Sequence, residues 1–180
     1  MSIRYVIDNF LPQDIYDELE QLVTGQTFEW YLKPGTVDGQ QTNFGDWRFT
    51  HTVYHQRFAI TQRYIQNFMP VFDFLGVDTM IKSKLNCDIY TKTPEQRPWH
   101  VDQGCHADCT FTSIMYFNDC NGKTIFKKDN ATIQSKRNRA IVFNSELEHA
   151  GITQTDTARR YVLNTNFLCS PSAIPVGVSF

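Results

Sequence analysis

RRYVLNTNFL, residues 159–168, carries two different faces on one short segment. In a strand successive side chains point to opposite sides, so Tyr161, Leu163, Thr165 and Phe167 share one face and Arg160, Val162, Asn164 and Asn166 the other. The first face can pack against a hydrophobic layer. The second is too polar for a dry core and requires either bulk water or a wet cavity. If the polar face lines a cavity, the opposite register would put Leu163 and Phe167 in it and bury two amides against apolar neighbours, so Arg160 is then expected to point inward and Arg159 outward.

Working back from this segment, IKSKLNCDIY (81–90), CTFTSIMYF (109–117), KTIFK (123–127), ATIQ (131–134) and RAIVF (139–143) are short runs with strand composition, separated by turn residues. Asn121-Gly122 predicts a two-residue hairpin between SIMYFN and KTIF, and Asp129-Asn130 and Arg137-Asn138 mark the following turns. Upstream the period changes. In FLPQDIYDELEQLV (10–23), Pro12 suits a first helical turn, and Ile15, Leu19, Leu22 and Val23 form an amphipathic stripe. HQRFAITQRYIQNFMPVFDFLG (55–76) repeats helical spacing through Phe58, Tyr64, Ile65, Phe68 and Phe72, with Pro70 expected to kink or end the helix. Residues 25–50 show no sustained period. Helices followed by six or more antiparallel strands predict a mainly β fold, a double-stranded β-helix or jelly roll buttressed by N-terminal helices. The expectation is one domain over 1–180, with 1–80 a helical support region and 81–170 the jelly-roll core.

Composition excludes several function classes. Seventeen basic and nineteen acidic residues give a net charge of −2, with no long basic run to engage a nucleic-acid backbone. Lys123, Lys127, Lys128, Lys136, Arg137 and Arg139 gather in adjacent turns, where they read as a solvated edge that discourages strand pairing. There is no secretory signal and no apolar stretch of roughly 18 residues, so a soluble, cytoplasmic protein is expected. Five cysteines without a Cys-x-x-Cys pair fit reduced thiols.

The candidate metal ligands lie in RPWHVDQGCHADC (97–109), which holds His-x-Asp twice: His100/Asp102 and His106/Asp108. On a strand either pair would project to one face. Two histidines and one carboxylate suit a divalent ion such as iron, with open positions opposite the ligands. His149, in FNSELEHAG (143–151), is the only histidine downstream, and Arg160 follows it on the polar face of the last strand. Cys105, His106, Asp108 and Cys109 lack a second cluster that would complete a zinc site. His51 and His55 lie in a strand-like stretch that puts both on one face, as structural or substrate-rim residues. Trp30, Trp47 and Trp99 suit either the core or the substrate entrance.

The combination of HVD, a strand, an Asn-Gly turn, a late histidine and Arg-Arg-x-x-x-Asn resembles the 2-oxoglutarate- and Fe(II)-dependent oxygenases. The nearer likeness is to the prolyl 4-hydroxylase-like branch, in a compact type often met in bacteriophages, and it runs from YVIDNFLPQDIYDEL (5–19) through IKSKLN, TSIMYFNDCNGKTIF and NRAIVFNSELEHAG to RRYVLNTNF. The resemblance implies Fe(II) held by His100, Asp102 and His149, with 2-oxoglutarate and dioxygen as cosubstrates and ascorbate as an accessory reductant. It also implies hydroxylation of an unactivated C–H bond, with release of succinate and carbon dioxide. Arg160 would bind the distal carboxylate of 2-oxoglutarate, helped by Tyr90 and Tyr116, which stand ten residues before and sixteen after His100; Thr112, Ile114 and Val162 would wall its channel. Chain length favours the first His-x-Asp pair: seven residues separate Asp102 from the strand starting near Thr110, whereas only Cys109 follows Asp108. His106 and Asp108 are then expected in a loop over the cavity mouth.

A peptidyl proline or another amino-acid side chain is the leading substrate class, with small molecules and nucleic acids as alternatives. For the phage type, the cytoplasm would be that of an infected bacterial host. Two rival classes are a non-enzymatic jelly-roll binding module and a zinc hydrolase using Glu146 or Glu148 as general base.

Overall fold

The computed structural model describes residues 4–34, 47–56, 63–102, 109–175 and 177–179. In chain order the elements are β1 (Arg4–Asp8), α1 (Gln13–Thr24), β2 (Tyr31–Pro34), β3 (Trp47–His55), α2 (Ile65–Phe74), β4 (Thr79–Ile89), β5 (Thr110–Tyr116), β6 (Lys123–Phe126), β7 (Thr132–Gln134), β8 (Arg139–Asn144), β9 (His149–Ile152), β10 (Arg159–Leu168) and β11 (Val178–Ser179). The major sheet has eight strands in the order β11-β1-β8-β5-β10-β4-β3-β2, and the minor sheet has three in the order β7-β6-β9. The pairings within both are antiparallel. This is the jelly-roll arrangement expected from the alternation of the downstream strands.

Residue parity sorts the core into two layers. Phe111 and Met115 of β5 and Leu163 and Phe167 of β10 face α1 and α2, whose Tyr16, Leu19, Val23, Phe68, Val71 and Phe72 complete one buried cluster. Ile114 and Tyr116 of β5, Ile141 and Phe143 of β8, Val162 of β10 and Phe126 of β6 form a second cluster between the sheets. The Tyr16 hydroxyl donates to the Phe117 carbonyl at 2.7 Å, tying α1 to the end of β5.

Several expectations need correction. Pro70 does not end α2, which continues to Phe74; the hydrogen bond that proline cannot donate is offset by burial of Phe68, Val71, Phe72 and Leu75. Phe58 lies outside the described residues. The 1–80 region is not purely helical, because it also supplies β1, β2 and β3 to the flanks of the major sheet.

The Asn121-Gly122 hairpin is not formed, because β5 and β6 belong to different sheets. Asn121 instead clamps the connection between β9 and β10: its backbone N–H donates to Asp156 at 2.8 Å, and its side-chain amide donates to the Thr155 hydroxyl and accepts from the Thr155 N–H, both at 2.8 Å. A Cβ on Gly122 would lie 2.7 Å from Cδ of Arg160, so the glycine makes room for that side chain. The other two turns are present, with Asn130 at φ 57° and Asn138 at φ 54°.

His51 and His55 do not share a face. A register shift between Thr52 and Tyr54 inserts an extra residue, so His51 pairs with core-facing Leu85 while His55 pairs with Lys82 on the opposite face. His51 is buried, with Nδ1 2.7 Å from the Glu29 carbonyl and its ring among Phe28, Tyr31 and Tyr64. That is a structural role.

Candidate metal and dicarboxylate site

Between the two sheets a cavity opens, lined by the even-numbered residues of β4 and β10. Lys82, Lys84, Asn86 and Asp88 stand beside Asn166, Asn164, Val162 and Arg160 on neighbouring strands of the major sheet, and Ile114, Thr124, His100, Asp102 and His149 complete most of the wall. The polar face of RRYVLNTNFL therefore lines a cavity.

His100 and His149 come from distant parts of the chain and are joined main chain to main chain. The His100 N–H donates to the His149 carbonyl at 3.1 Å, and the His149 N–H donates to the His100 carbonyl at 3.0 Å. Their rings stand 4.6 Å apart. His149 Nδ1 lies 2.9 Å from the Leu147 carbonyl and His100 Nδ1 lies 3.1 Å from the Pro98 carbonyl, so each ring uses Nδ1–H locally and turns the Nε2 lone pair toward the cavity. Nε2 of His100 is 3.9 Å and Nε2 of His149 is 3.6 Å from the Asp102 carboxylate. One ligand atom from each residue falls within 4.8 Å of the others, the one such group of three among the described residues.

The donor set fits a divalent transition ion. His149 Nε2 is buried without a hydrogen-bond partner, which is costly unless an electrophile occupies its lone pair. Burial holds the His100 imidazole below its ordinary value, and the neighbouring His149 adds to this, which favours the neutral ligand form. For Asp102 burial pushes the carboxyl up, but the opposing pull of His149 and His100 and a hydrogen bond from Asn164 bring it below the usual carboxylate range. That bond runs from the Asn164 amide to Asp102 Oδ2 at 2.8 Å; Oδ2 is also the oxygen nearer His149, and Oδ1 is the one nearer His100. His106, Asp108 and Cys105 lie outside the described residues.

Arg160 lies at the other end of the cavity, with its guanidinium 5.4 Å from the Tyr116 ring centroid and its Nε buried without a hydrogen-bond partner. Its remaining contacts are long: Nη1 to Asp88 at 3.4 Å and Nη2 to the Thr124 hydroxyl at 3.5 Å. Arg159 is exposed, and its Nη1 donates to the Tyr161 hydroxyl at 3.3 Å. Tyr116 is buried beneath Arg160, where its hydroxyl donates to Thr124 Oγ1 at 2.9 Å and burial pushes its phenol up. Ile114 and Val162 line the cavity. Thr112 sits behind the wall and accepts from the Asn166 amide at 3.1 Å.

Tyr90 is not brought into this group. β4 ends at Ile89, and the tyrosine side chain, 51% exposed, is absent from the cavity wall. The inward position at that end of β4 is held by Asp88, which the sequence reading missed, together with Arg48 and Arg97. Arg48 Nη2 and Arg97 Nη2 lie 3.3 and 3.9 Å from Asp88 Oδ1. The signal for Asp88 was available, since Lys82, Lys84, Asn86 and Asp88 form a polar period-two face like that of β10. Arg97 lies outside any strand and is positioned by its N–H donating to the Gly151 carbonyl at 2.8 Å.

Three guanidiniums around one carboxylate carry a stability consequence. Burial pushes the Asp88 carboxyl up, but the charges of Arg48, Arg160 and Arg97 outweigh it and hold it below the ordinary 3.8. A carboxyl lowered in the folded state contributes stability that is complete above its unfolded value and is lost as pH falls through the folded value, hence below about pH 3.8. Asp88→Asn should cost roughly 3 kcal/mol at neutral pH, read from urea unfolding. It should also flatten the acid limb of the stability curve below that pH.

Glu146 and Glu148 are exposed, neither lines the cavity, and Glu148 accepts from Lys127 at 2.7 Å, so neither is placed as a base beside the histidines. The basic turns are ion-paired with Asp8, Asp17, Glu20 and Glu148 through Lys136, Arg139, Arg137 and Lys127. Cys87, Cys109, Cys120 and Cys169 are free thiols. No helix among the described residues is long and apolar enough to cross a membrane.

No protein-family model and no curated protein sequence matches the chain. Solved structures do. An oxidoreductase of the 2OG-Fe(II) oxygenase family from Burkholderia pseudomallei is 10% identical with a TM-score of 0.63, over 92% of this chain and 84% of that one. A Trichoplax adhaerens prolyl hydroxylase, solved with a hypoxia inducible factor oxygen degradation domain peptide fragment, is 14% identical with a TM-score of 0.63, over 92% and 83%. The viral collagen prolyl hydroxylase of Paramecium Bursaria Chlorella virus-1, solved with 2OG, is 14% identical with a TM-score of 0.53, over 93% and 96%. At these identities the likeness is one of fold, and the fold is that of the 2OG-Fe(II) oxygenases.

Proposed function

We infer that the chain is an Fe(II)- and 2-oxoglutarate-dependent dioxygenase that hydroxylates an unactivated C–H bond and releases succinate and carbon dioxide. The observation that carries this reading is the placement of His100, Asp102 and His149 in the same cavity as the inward guanidinium of Arg160. Bound Fe(II) and 2-oxoglutarate would supply dioxygen activation and C–H oxidation, chemistry that side chains alone do not provide.

The chain's own residues orient and enclose. His100 and His149 present Nε2, and Asp102 presents a carboxylate oriented by Asn164. Arg160 receives the distal carboxylate of 2-oxoglutarate, because its Nε and its loosely held Nη groups form a planar fork that matches two oxygens. Tyr116 supports that guanidinium from below, and Gly122 leaves space for it. Ile114 and Val162 keep the cosubstrate's carbon chain away from water.

The leading primary substrate is a peptidyl proline or another amino-acid side chain, the class suggested by the prolyl-hydroxylase neighbours. The paired surface charges make nucleic acid a poorer candidate. Fe(II), 2-oxoglutarate, ascorbate and air, supplied with pooled peptides, free amino acids and nucleosides, should yield succinate above the no-substrate rate with one pool. Absence of succinate from every pool, together with no 2-oxoglutarate binding, would refute the oxygenase reading.

A further inference from the structure

We propose that Lys84, extended by Lys82, forms a second anion subsite that takes a carboxylate of the primary substrate beside the histidine–aspartate cluster. The inference rests on the oxygenase reading in one respect, that 2-oxoglutarate lies between Arg160 and the cluster.

The register of the two lining strands separates the cationic positions. Arg160 is paired with Asp88, whereas Lys84 is paired with Asn164, whose amide holds Asp102, and Lys82 with Asn166. Four residues of strand place Lys84 roughly 13 Å from the Arg160 level, and Lys82 stands another ~7 Å beyond it. A cosubstrate running from Arg160 to the metal ligands therefore ends near Lys84 and does not reach Lys82. The cation wall continues past it, where a second molecule must approach the reacting centre.

The charges around Lys84 call for an anion. Among the described residues its ammonium makes no hydrogen bond or ion pair. The charges of Lys82, Lys33 and Arg48 repel it, and its attractive partner is Asp102, whose carboxylate is committed to the metal site. Keeping such a cation in a partly dry cavity is unfavourable unless a ligand brings the opposite charge. A neutral proline ring offers none. The matching substrate is an amino acid with its free carboxylate, or a peptide whose C-terminus or acidic side chain neighbours the residue to be hydroxylated.

The cosubstrate's 1-carboxylate is the other source of such an anion, and the test separates the two. The full chain with Fe(II) and saturating 2-oxoglutarate under argon, and the same chain without either, is titrated with a pool of N-acetyl amino acids and with the corresponding amides, using ligand-observed NMR. The expected result is at least about tenfold tighter binding of a carboxylate member than of its amide. Lys84→Met should erase that preference and Lys84→Arg should retain it, with 2-oxoglutarate affinity unchanged in both. No carboxylate preference in the wild type overturns the proposal, as does retention of the preference in Lys84→Met. A loss of 2-oxoglutarate affinity in Lys84→Met as large as that in Arg160→Ala also overturns it. If a Lys84-dependent preference is found but 2-oxoglutarate does not bind, the oxygenase reading fails and the anion subsite stands.

Discussion

Replacing His100, Asp102 or His149 by Ala should abolish Fe(II)-dependent turnover and weaken metal binding by orders of magnitude, while thermal unfolding stays close to that of the wild type. Each side chain supplies a ligand atom to a group with no spare donor of the same kind within reach among the described residues. The main-chain bonds that bring residues 100 and 149 together do not depend on their side chains, so the surrounding strands should remain in place. Metal titration by calorimetry and circular dichroism melts of the three variants check this. His106→Ala is the control, with metal binding expected to persist. The opposite outcome, binding lost in His106→Ala and kept in His100→Ala, would move the site to the second His-x-Asp pair.

The second large effect concerns adjacent arginines. Arg160 is 3% exposed and faces the cavity, whereas Arg159 lies at the start of β10 with its charge in water. Removing a desolvated guanidinium that binds a carboxylate costs ~2–5 kcal/mol, roughly 30-fold to several thousand-fold in affinity. Arg160→Ala should weaken 2-oxoglutarate binding by at least that lower bound, and Arg159→Ala by less than about threefold. Because Arg160 also contacts Asp88, its loss should lower stability, so affinity is to be measured well below the unfolding transition of each variant. Arg160→Lys keeps the charge but not the planar fork and should recover only part of the affinity. A larger loss at Arg159 than at Arg160 would overturn the assignment of the distal carboxylate to Arg160.

What could be read from the sequence depended on contrast between alternate residues. β10 separates Leu163 and Phe167 from Asn164 and Asn166 so sharply that its two faces followed directly, while the choice between bulk water and a cavity for the polar face needed the histidines and their partners elsewhere in the chain. β4 carries the same contrast in Lys82, Lys84, Asn86 and Asp88, but the arginines that single out Asp88, Arg48, Arg97 and Arg160, are remote in sequence and meet it only in the fold. β9, HAGI, has no alternation to detect, and its identity as a strand comes from pairing with β6. β1, RYVID, is short and only partly buried, and it becomes a strand by joining β8.

Local signals failed where a distant contact overrode them. Asn121-Gly122 has hairpin chemistry, but its side-chain bonds to Thr155 and the bulk of Arg160 decide its conformation. The spacing of His51 and His55 suggested one face, and a single inserted residue reversed it.

The paired backbone bonds between His100 and His149 bear on how the ion is acquired. The bonds that join these two segments, remote in sequence, are made by main-chain groups and not by the ligand side chains, so their ordering belongs to folding and not to coordination. Capture should then proceed without a slow rearrangement of these segments, at a rate set by ion dehydration and access. The amide protons of His100 and His149 should exchange slowly with solvent even in metal-free protein, because the fastening belongs to the polypeptide itself.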